Sequence, residues 1–494
     1  MYRIDVLPHG KSLQAEAGEN LLQLLRASGF APDAPCGGNG RCGKCTVLID
    51  GAEVLACRTV INRDMAVYLP EKKEKQILTH GIDHTAAGAS SSCGCLLAVD
   101  IGTTTVAAFL LDGATGAQLA CESMENPQTA FGADVVSRVQ FAAKEGTAAL
   151  TEGIRQCLQT LILRLCQKGK AAPANIERVC VAGNHAMLQL FLGMDVKNLT
   201  QPPYLSCMTK GTTVDAAPYL PLLTGAQLQL LPALSGFLGA DILAGALAVS
   251  LDAAREPTLL VDIGTNGEMI LSDGEQLVAC ATAAGPALEG AHISCGMRGQ
   301  TGAIDHVWLE DGRFCVSVIG GGAPAGICGS GLIDAVAAGL EVGHINKRGR
   351  VLTEDHCLHI AQGICLTQED IRQVQLAKGA IAAGIRLLAA QLGYSLPQIR
   401  RVCLAGAFGT YMDPKSALRI GLLPPMPNAV IEAVGNTAGS GAKMLVQEPA
   451  LLESLQRLTE RTIHLNLAQH PEFTRTFARN MDFKEGTADA PMDQ

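Results

Sequence analysis

Four cysteines near the start of the chain are spaced Cys36-x5-Cys42-x2-Cys45-x11-Cys57, inside the glycine-rich run CGGNGRCGKC. Four thiolates can wrap a 2Fe-2S cluster, and glycines let the backbone bring N–H groups up to the sulfurs. Structural zinc is the competing occupant, although zinc sites more often pair two C-x2-C units or add histidines. A second chemistry is spelled twice. Val99-Asp100-Ile101-Gly102-Thr103 recurs letter for letter as Val261-Asp262-Ile263-Gly264-Thr265. Turn N–H groups and the hydroxyls of Thr103, Thr104 and Thr265 can donate to phosphate oxygens, and Asn266 can donate as well. Asp100 and Asp262 can hold hydrated Mg²⁺ or position water, which makes them the candidate catalytic pair.

The elements that must position these residues are legible around them. Each VDIGT is an apolar strand that ends in a tight Gly-Thr turn, after which TVAAFLLD or NGEMILSD reads as the second strand of a hairpin. A dinucleotide-binding fingerprint would instead open a helix with G-x-G-x-x-G, and a P-loop would need G-x-x-x-x-G-K-[ST]; the chain shows neither at these places. A second echo follows in the same order: IERVCVAG at 176–183 returns as IRRVCLAG at 399–406. Two matched motifs in matched order predict a duplicated fold. Thr367-x-x-Asp370 is a variant capping box that opens a helix through Ile371, Val374, Ile381, Ile385 and Leu388, with Gly393 past its end. Lys378 lies on that stripe, where a lysine snorkelling from the edge of a buried face is expected rather than a phosphate contact.

Length and composition bound the rest. A chain of 494 residues exceeds a single core and predicts several domains. With 48% hydrophobic and 17% charged residues it is globular, and a net charge of −9 argues against a nucleic-acid partner. The N-terminus lacks the apolar core of a signal peptide, and the most apolar stretch, 231–251, is broken by Asp241 and glycines, so it reads as a buried helix rather than a membrane span. A cytoplasmic location is expected, and there the eighteen cysteines are metal ligands and buried thiols rather than disulfides. Cys93 and Cys95 are read as inert buried thiols, with a redox or metal role as the alternative. The run EKKEKQILTHGIDHTAAGASSS has linker composition. The expected division is a first domain at 1–70, a flexible linker at 71–95, a two-lobed domain at 96–475 whose second lobe starts near 258, and a tail at 476–494.

The cysteine pattern resembles plant-type and adrenodoxin-type ferredoxins, with a strand and a helix, Glu19 to Ser28, ahead of it. Its fourth cysteine follows after only eleven residues, a shortened loop similar to the N-terminal domain of the reductive activators of corrinoid proteins. The duplicated hairpin resembles the two phosphate motifs of the ASKHA superfamily of sugar kinases, heat-shock chaperones and actin. Leu404 to Gly409 looks like its adenosine motif and Val434 to Ala442 like the loop near the base, which implies nucleotide contacts from Gly406, Ala407, Gly409, Gly435 and Asn436. Glycine there has ordinary packing as the competing explanation. Asn126-Pro127-Gln128 with Phe131 to Asp134, Gly183-Asn184-His185, Val261 to Glu268, Ala284 to Gly290, and Cys328 to Asp334 look like further blocks of the corrinoid activators.

The resemblance implies an α/β protein: an α+β ferredoxin-like domain joined to duplicated ribonuclease-H-like lobes with a nucleotide cleft. It implies ATP, Mg²⁺ and a 2Fe-2S cluster as cofactors, an upstream low-potential reductant, a corrinoid protein as partner and a homodimer through the ATPase lobes. The expected activity is one-electron reduction of Co(II) to Co(I) on that partner. Plant-type clusters lie at about −400 mV, and the Co(I) couple is implied to lie lower, so ATP would support an uphill transfer. Longer members of the family carry a middle domain that this chain is expected to lack ahead of Asp100. Activation of another low-potential metalloenzyme and small-molecule phosphorylation by the same cleft are the alternative functions.

Overall fold

The computed structural model describes residues 1–30, 32, 34, 38, 40, 45–69, 81–82, 94–199, 207–264 and 266–483. The first domain is a five-stranded sheet. β1 (Tyr2–Leu7) and β2 (Lys11–Ala15) form a hairpin, α1 (Leu21–Ala27) crosses, and β3 (Thr46–Ile49), β4 (Ala52–Leu55) and β5 (Met65–Tyr68) complete the order β2-β1-β5-β3-β4. Alternation in β1 sends Ile4 and Val6 inward, against Leu21, Leu22 and Leu25 of α1. The helix starts later than Glu19 because Asn20 is its N-cap, its side chain accepting from the N–H groups of Leu22 and Gln23.

The next sheet carries the first phosphate motif. β6 (Cys95–Ile101), β7 (Thr105–Asp112) and β8 (Gln118–Glu125) form a meander. Helices α2 (Val135–Glu145) and α3 (Ala148–Gly169) lead to β9 (Ile176–Gly183), α4 (His185–Leu192), β10 (Thr212–Asp215) and β11 (Gln227–Leu230), in the order β10-β11-β9-β6-β7-β8. Cys95, assigned to the linker from sequence, is instead the buried first residue of β6, and burial pushes its thiol pKa up. The linker is also held at one point: Gly81 bridges to Gly435 and Ile82 packs on the core of this lobe. Of the apolar stretch at 231–251 only α5 (Ala240–Ala248) is α-helical, and no helix among the described residues is long and apolar enough to cross a membrane.

The second sheet repeats the first. β12 (Thr258–Ile263), β13 (Gly267–Ser272) and β14 (Leu277–Thr282) again form a meander. A smaller sheet follows, built from β15 (Ala303–Glu310), β16 (Arg313–Val318) and β17 (Gly326–Ile327) and packed on α6 (Gly329–Glu341). The hairpin β18 (Cys357–Ala361) and β19 (Ile364–Thr367) leads into α7 (Gln368–Gln391). Then β20 (Arg401–Ala405), α8 (Gly406–Tyr411), α9 (Pro414–Ile420), β21 (Val430–Gly435), α10 (Thr437–Gln447), α11 (Leu451–Arg461) and β22 (Thr462–His464) close the sheet in the order β21-β20-β12-β13-β14-β22. The register repeats too. Asp100 lies beside Ala182 of β9, and Asp262 lies beside Ala405 of β20, both in parallel pairs.

Two helices cross between the lobes. α10, late in the chain, packs on β6 and β9 of the first sheet and on α5, while α5 also touches β12 and β13 of the second. The crossing is close because it is made at glycines: a Cβ on Gly441 would lie 2.1 Å from the Ala244 carbonyl oxygen, and one on Gly245 would lie 2.7 Å from Thr437 Oγ1. The capping box at Thr367 and Asp370 forms at the start of α7. Lys378 of that helix does not snorkel. It is 1% exposed, donates to the Asp482 carbonyl at 2.5 Å and lies 5.2 Å from the Phe483 ring centre, so it secures the end of the described chain against α7.

Candidate functional site

The two hairpins converge on one cavity of about 350 Å³, within the size range of small-molecule sites. Asp100, Gly102, Thr103 and Thr104 line it from the first lobe, and Asp262, Gly264 and Asn266 from the second. Gly406, Ala407 and Asn436 also face it, whereas Gly409 and Gly435 do not, and Thr265 lies outside the described residues. Gly435 instead pairs with Gly81, and Gly409 packs under Leu404. Asn436 does not serve only a base-side loop. It caps α10 by accepting from the Gly439 N–H, and its Nδ2 donates to Asp100 Oδ2 at 2.8 Å.

The first turn is braced from behind. Asn126 Nδ2 donates to the Gly102 carbonyl at 2.8 Å, Asn184 Nδ2 donates to Thr103 Oγ1 at 3.1 Å, and Arg138 Nη2 donates to the Thr103 carbonyl at 2.5 Å. Arg138 is fully buried, and burial lowers its pKa to about 10. Its other partners are the Gly132 carbonyl and Met187 Sδ, so a buried cation stands beneath the turn with neutral hydrogen-bond partners. That placement favours an anion above it. The block from Asn126 to Asp134 thereby acquires a reason: it folds α2, capped by Asp134 and Ser137, so that Arg138 reaches the turn. The second turn is shaped by a gap. Gly406 sits at φ 79°, and a Cβ there would lie 2.6 Å from Asp262 Oδ1.

The carboxyls of the cavity form one electrostatic group. Burial pushes Asp100 and Asp262 up to about 7 and Asp241 to about 6, with the Asp241 charge adding to both of the first two. Glu268, buried beside them, is raised well above its ordinary value by burial and then by Asp241 and Asp262. Such a group gains from an incoming cation. Among the described residues no three such side chains stand ready to hold an ion alone, so a cation here would keep water or phosphate oxygens in its shell. The lobes are joined across the cavity by Thr104 Oγ1 donating to Glu289 Oε2 at 3.0 Å, by Asn436 with Asp100, and by the ion pair of Arg298 with Glu125. In the sequence Glu268 and Glu289 stand inside family-like blocks with no role of their own, and Asp241 stands out only as a break in an apolar run. Its signal was that charge within the run.

At the other candidate centre, Cys36 and Cys42 lie outside the described residues, as does Cys93. Cys45 is buried at the head of β3 and Cys57 stands in a turn after β4. The Ala56 N–H donates to the Cys45 carbonyl at 2.9 Å, which sets the two cysteine segments side by side. Asn20 Nδ2 holds the Cys57 carbonyl at 3.0 Å, and Arg58 Nη2 holds the Gly40 carbonyl at 2.8 Å, tying the glycine-rich loop to the same place. Gly40 sits at φ 70°, a backbone conformation that favours glycine. The described part of the loop fits a cluster held by thiolates.

Comparison with known proteins reads the same way along the chain. The 2Fe-2S iron-sulfur cluster binding domain matches residues 4–67, the RACo middle region matches 95–254, and the C-terminal domain of RACo, the ASKHA domain, matches 256–493. The match at 95–254 takes in the first VDIGT motif, so it is the lobe carrying Asp100 that is similar to the RACo middle region. The corrinoid activation enzyme RamQ of Eubacterium limosum is 36% identical over 419 residues, spanning 78% of this chain and 70% of its own. The [Co(II) methylated amine-specific corrinoid protein] reductase of Methanosarcina barkeri is 26% identical over 422 residues, 78% of this chain and 76% of its own. A solved structure of a reductive activator for a corrinoid, iron-sulfur protein superposes with a TM-score of 0.71 at 26% identity, covering 99% of each chain.

Proposed function

This chain belongs to the family of reductive activators of corrinoid proteins, and we propose that it couples ATP hydrolysis in its cleft to one-electron reduction of Co(II) to Co(I) on a corrinoid protein. The observation that carries the reading is the pairing of a cluster-type cysteine loop with two facing phosphate turns in one chain. Cys36, Cys42, Cys45 and Cys57 would hold the 2Fe-2S cluster, which supplies the electron. A kinase would have no use for that domain, which sets the phosphorylation alternative aside.

The chain's own groups do the rest. Thr103, Thr104, Thr265 and Asn266 bind phosphate oxygens, with Arg138 compensating their charge from beneath. Asp100 and Asp262 face the cavity where hydrated Mg²⁺ would accompany the phosphates. Ala407 and Phe408, at the head of α8, offer a surface for the nucleoside. Closure of the two lobes on nucleotide favours the arrangement that the partner prefers, a coupling of about 1–3 kcal/mol between sites. The electron enters from an upstream low-potential reductant, the lobes pair two copies of the chain, and the activity belongs to the cytoplasm, where free thiols persist; every described cysteine is free. Capture of partners from the native cell without oxygen tests the choice of substrate. Recovery of a cobalamin-binding protein is expected, and recovery of a metalloenzyme without cobalt in its place would contradict it.

A further inference from the structure

One carboxylate of the cleft stands between both phosphate turns. Glu289 Oε2 accepts from Thr104 Oγ1 of the first turn at 3.0 Å, and Glu289 Oε1 lies 3.9 Å from where a Cβ on Gly264 of the second turn would be. Asp100 is engaged with Asn436, Glu125 with Arg298, and Asp241 with the Ile242 N–H of its own helix, while Asp262, Glu268 and Asp305 also line the cavity.

Glu289 is also held stiffly. It ends a single turn of 3-10 helix, Pro286 to Glu289, whose Ala287 and Leu288 are buried. Gly290 follows at φ 76°, where a Cβ would lie 2.4 Å from the Met297 carbonyl oxygen, so the chain turns there with no room for a side chain. Gly329, at the start of α6, packs so closely that a Cβ would lie 1.8 Å from the Leu288 carbonyl oxygen. Gly290 and Gly329 thus fix the backbone that carries a side chain directed at the gap between the turns. Preorganisation of this kind is what a proton acceptor in a positioned reaction needs.

We propose that Glu289 is the catalytic residue that orients the attacking water and takes its proton during hydrolysis of a nucleoside triphosphate in this cleft. The assignment rests on the reading of the cleft as an ATPase. The water oxygen bonds to the terminal phosphorus, the bond from that phosphorus to the bridging oxygen breaks, and the nucleoside diphosphate leaves with the electron pair. The water proton passes to the Glu289 carboxylate and from there to the released phosphate. Thr104, released from Glu289, then donates to the nucleotide.

The test uses the full chain, purified without oxygen, with phosphate release measured from MgATP and binding measured with the β,γ-imido analogue of ATP. Glu289→Gln keeps shape and removes the base. Turnover is expected to fall about 100-fold or more, with analogue affinity unchanged or tighter. Glu289→Asp, which keeps a shorter carboxylate, is expected to turn over about tenfold faster than Glu289→Gln. Turnover of the Gln variant within about threefold of the parent overturns the assignment, as does a parallel loss of binding and turnover, which would make Glu289 only an anchor for Thr104. An Asp variant no faster than Gln overturns it as well. If the parent releases phosphate and the Gln variant matches it, this assignment alone falls; if the parent releases none, the ATPase reading falls and takes the assignment with it.

Discussion

At Gly406 the requirement is for an absent side chain, because Asp262 Oδ1 occupies the space a Cβ would take. Asp262 and its counterpart Asp100 are the residues to which the proposed reading gives the chemistry of the cleft. Asp100→Ala and Asp262→Ala are each expected to lower ATP turnover by about 100-fold or more while leaving the visible spectrum of the cluster domain unchanged, since the motifs lie on separate domains. Parental turnover in both variants would contradict the cleft assignment. The raised pKa values add a pH dependence with a definite sign. A carboxyl whose folded pKa lies above its unfolded one stabilises the fold fully below the unfolded value, and that contribution is lost as pH rises through the folded value. For Asp100 and Asp262 the window runs from about 4 up through about 7. The nucleotide-free protein is therefore expected to melt lower at pH 8 than at pH 6, by roughly 2–6 °C for about 1–2 kcal/mol, and Asp262→Asn should flatten that slope. A melting temperature rising over this interval would count against the burial argument. At this scale the sequence announced what was repeated, the aspartates, glycines and threonines of the turns. It showed Asp241 only as a charge inside an apolar run and Glu289 only inside a block, because their place in the cleft comes from long-range approach to the turns rather than from any local pattern.

The elements explain why a five-residue motif can be used twice. Each VDIGT strand is the central partner of a hairpin on one side and of a parallel strand ending in Ala-Gly on the other, in the same register in both lobes. Hairpins and the α7 helix were legible because their signals are local: apolar runs, Gly-Thr turns and a capping box. The crossing of α5 and α10 was not. The glycines of Val434 to Ala442 had nucleotide contact and ordinary packing as competing explanations, and at Gly441 it is packing, where the missing side chain admits the Ala244 carbonyl. Lys378 was misplaced for the same reason, since the residues that bury it, Asp482 and Phe483, lie about a hundred positions away. Gly441→Val is expected to destabilise the two lobes by about 1–3 kcal/mol through overpacking. Chemical denaturation followed by far-UV circular dichroism measures this, and a variant as stable as the parent would show that the helices can part without cost.

The whole molecule joins a 2Fe-2S domain to the two lobes through a segment that is held beside the cleft. Gly81 bridges Gly435, next to the Asn436 that holds Asp100, so the tether is seated one residue away from the first phosphate motif. A Cβ on Gly81 would meet the Asn436 carbonyl oxygen at 2.7 Å. The sequence showed the linker by composition alone, and composition cannot show where a linker is held. Cutting the chain within 83–93 is expected to preserve cluster reduction and ATP turnover in the separate pieces yet to lose corrinoid reactivation, because tethering supplies the effective concentration of one domain at the other. Full reactivation by the mixed pieces would remove the tether from the mechanism. The central claim is tested most directly by the Co(II) and Co(I) absorbance of a purified corrinoid protein, mixed with the intact chain and a chemical reductant, with and without MgATP. The account predicts conversion to Co(I) that needs ATP; Co(II) left untouched with ATP present, or reduced equally well without it, would contradict it.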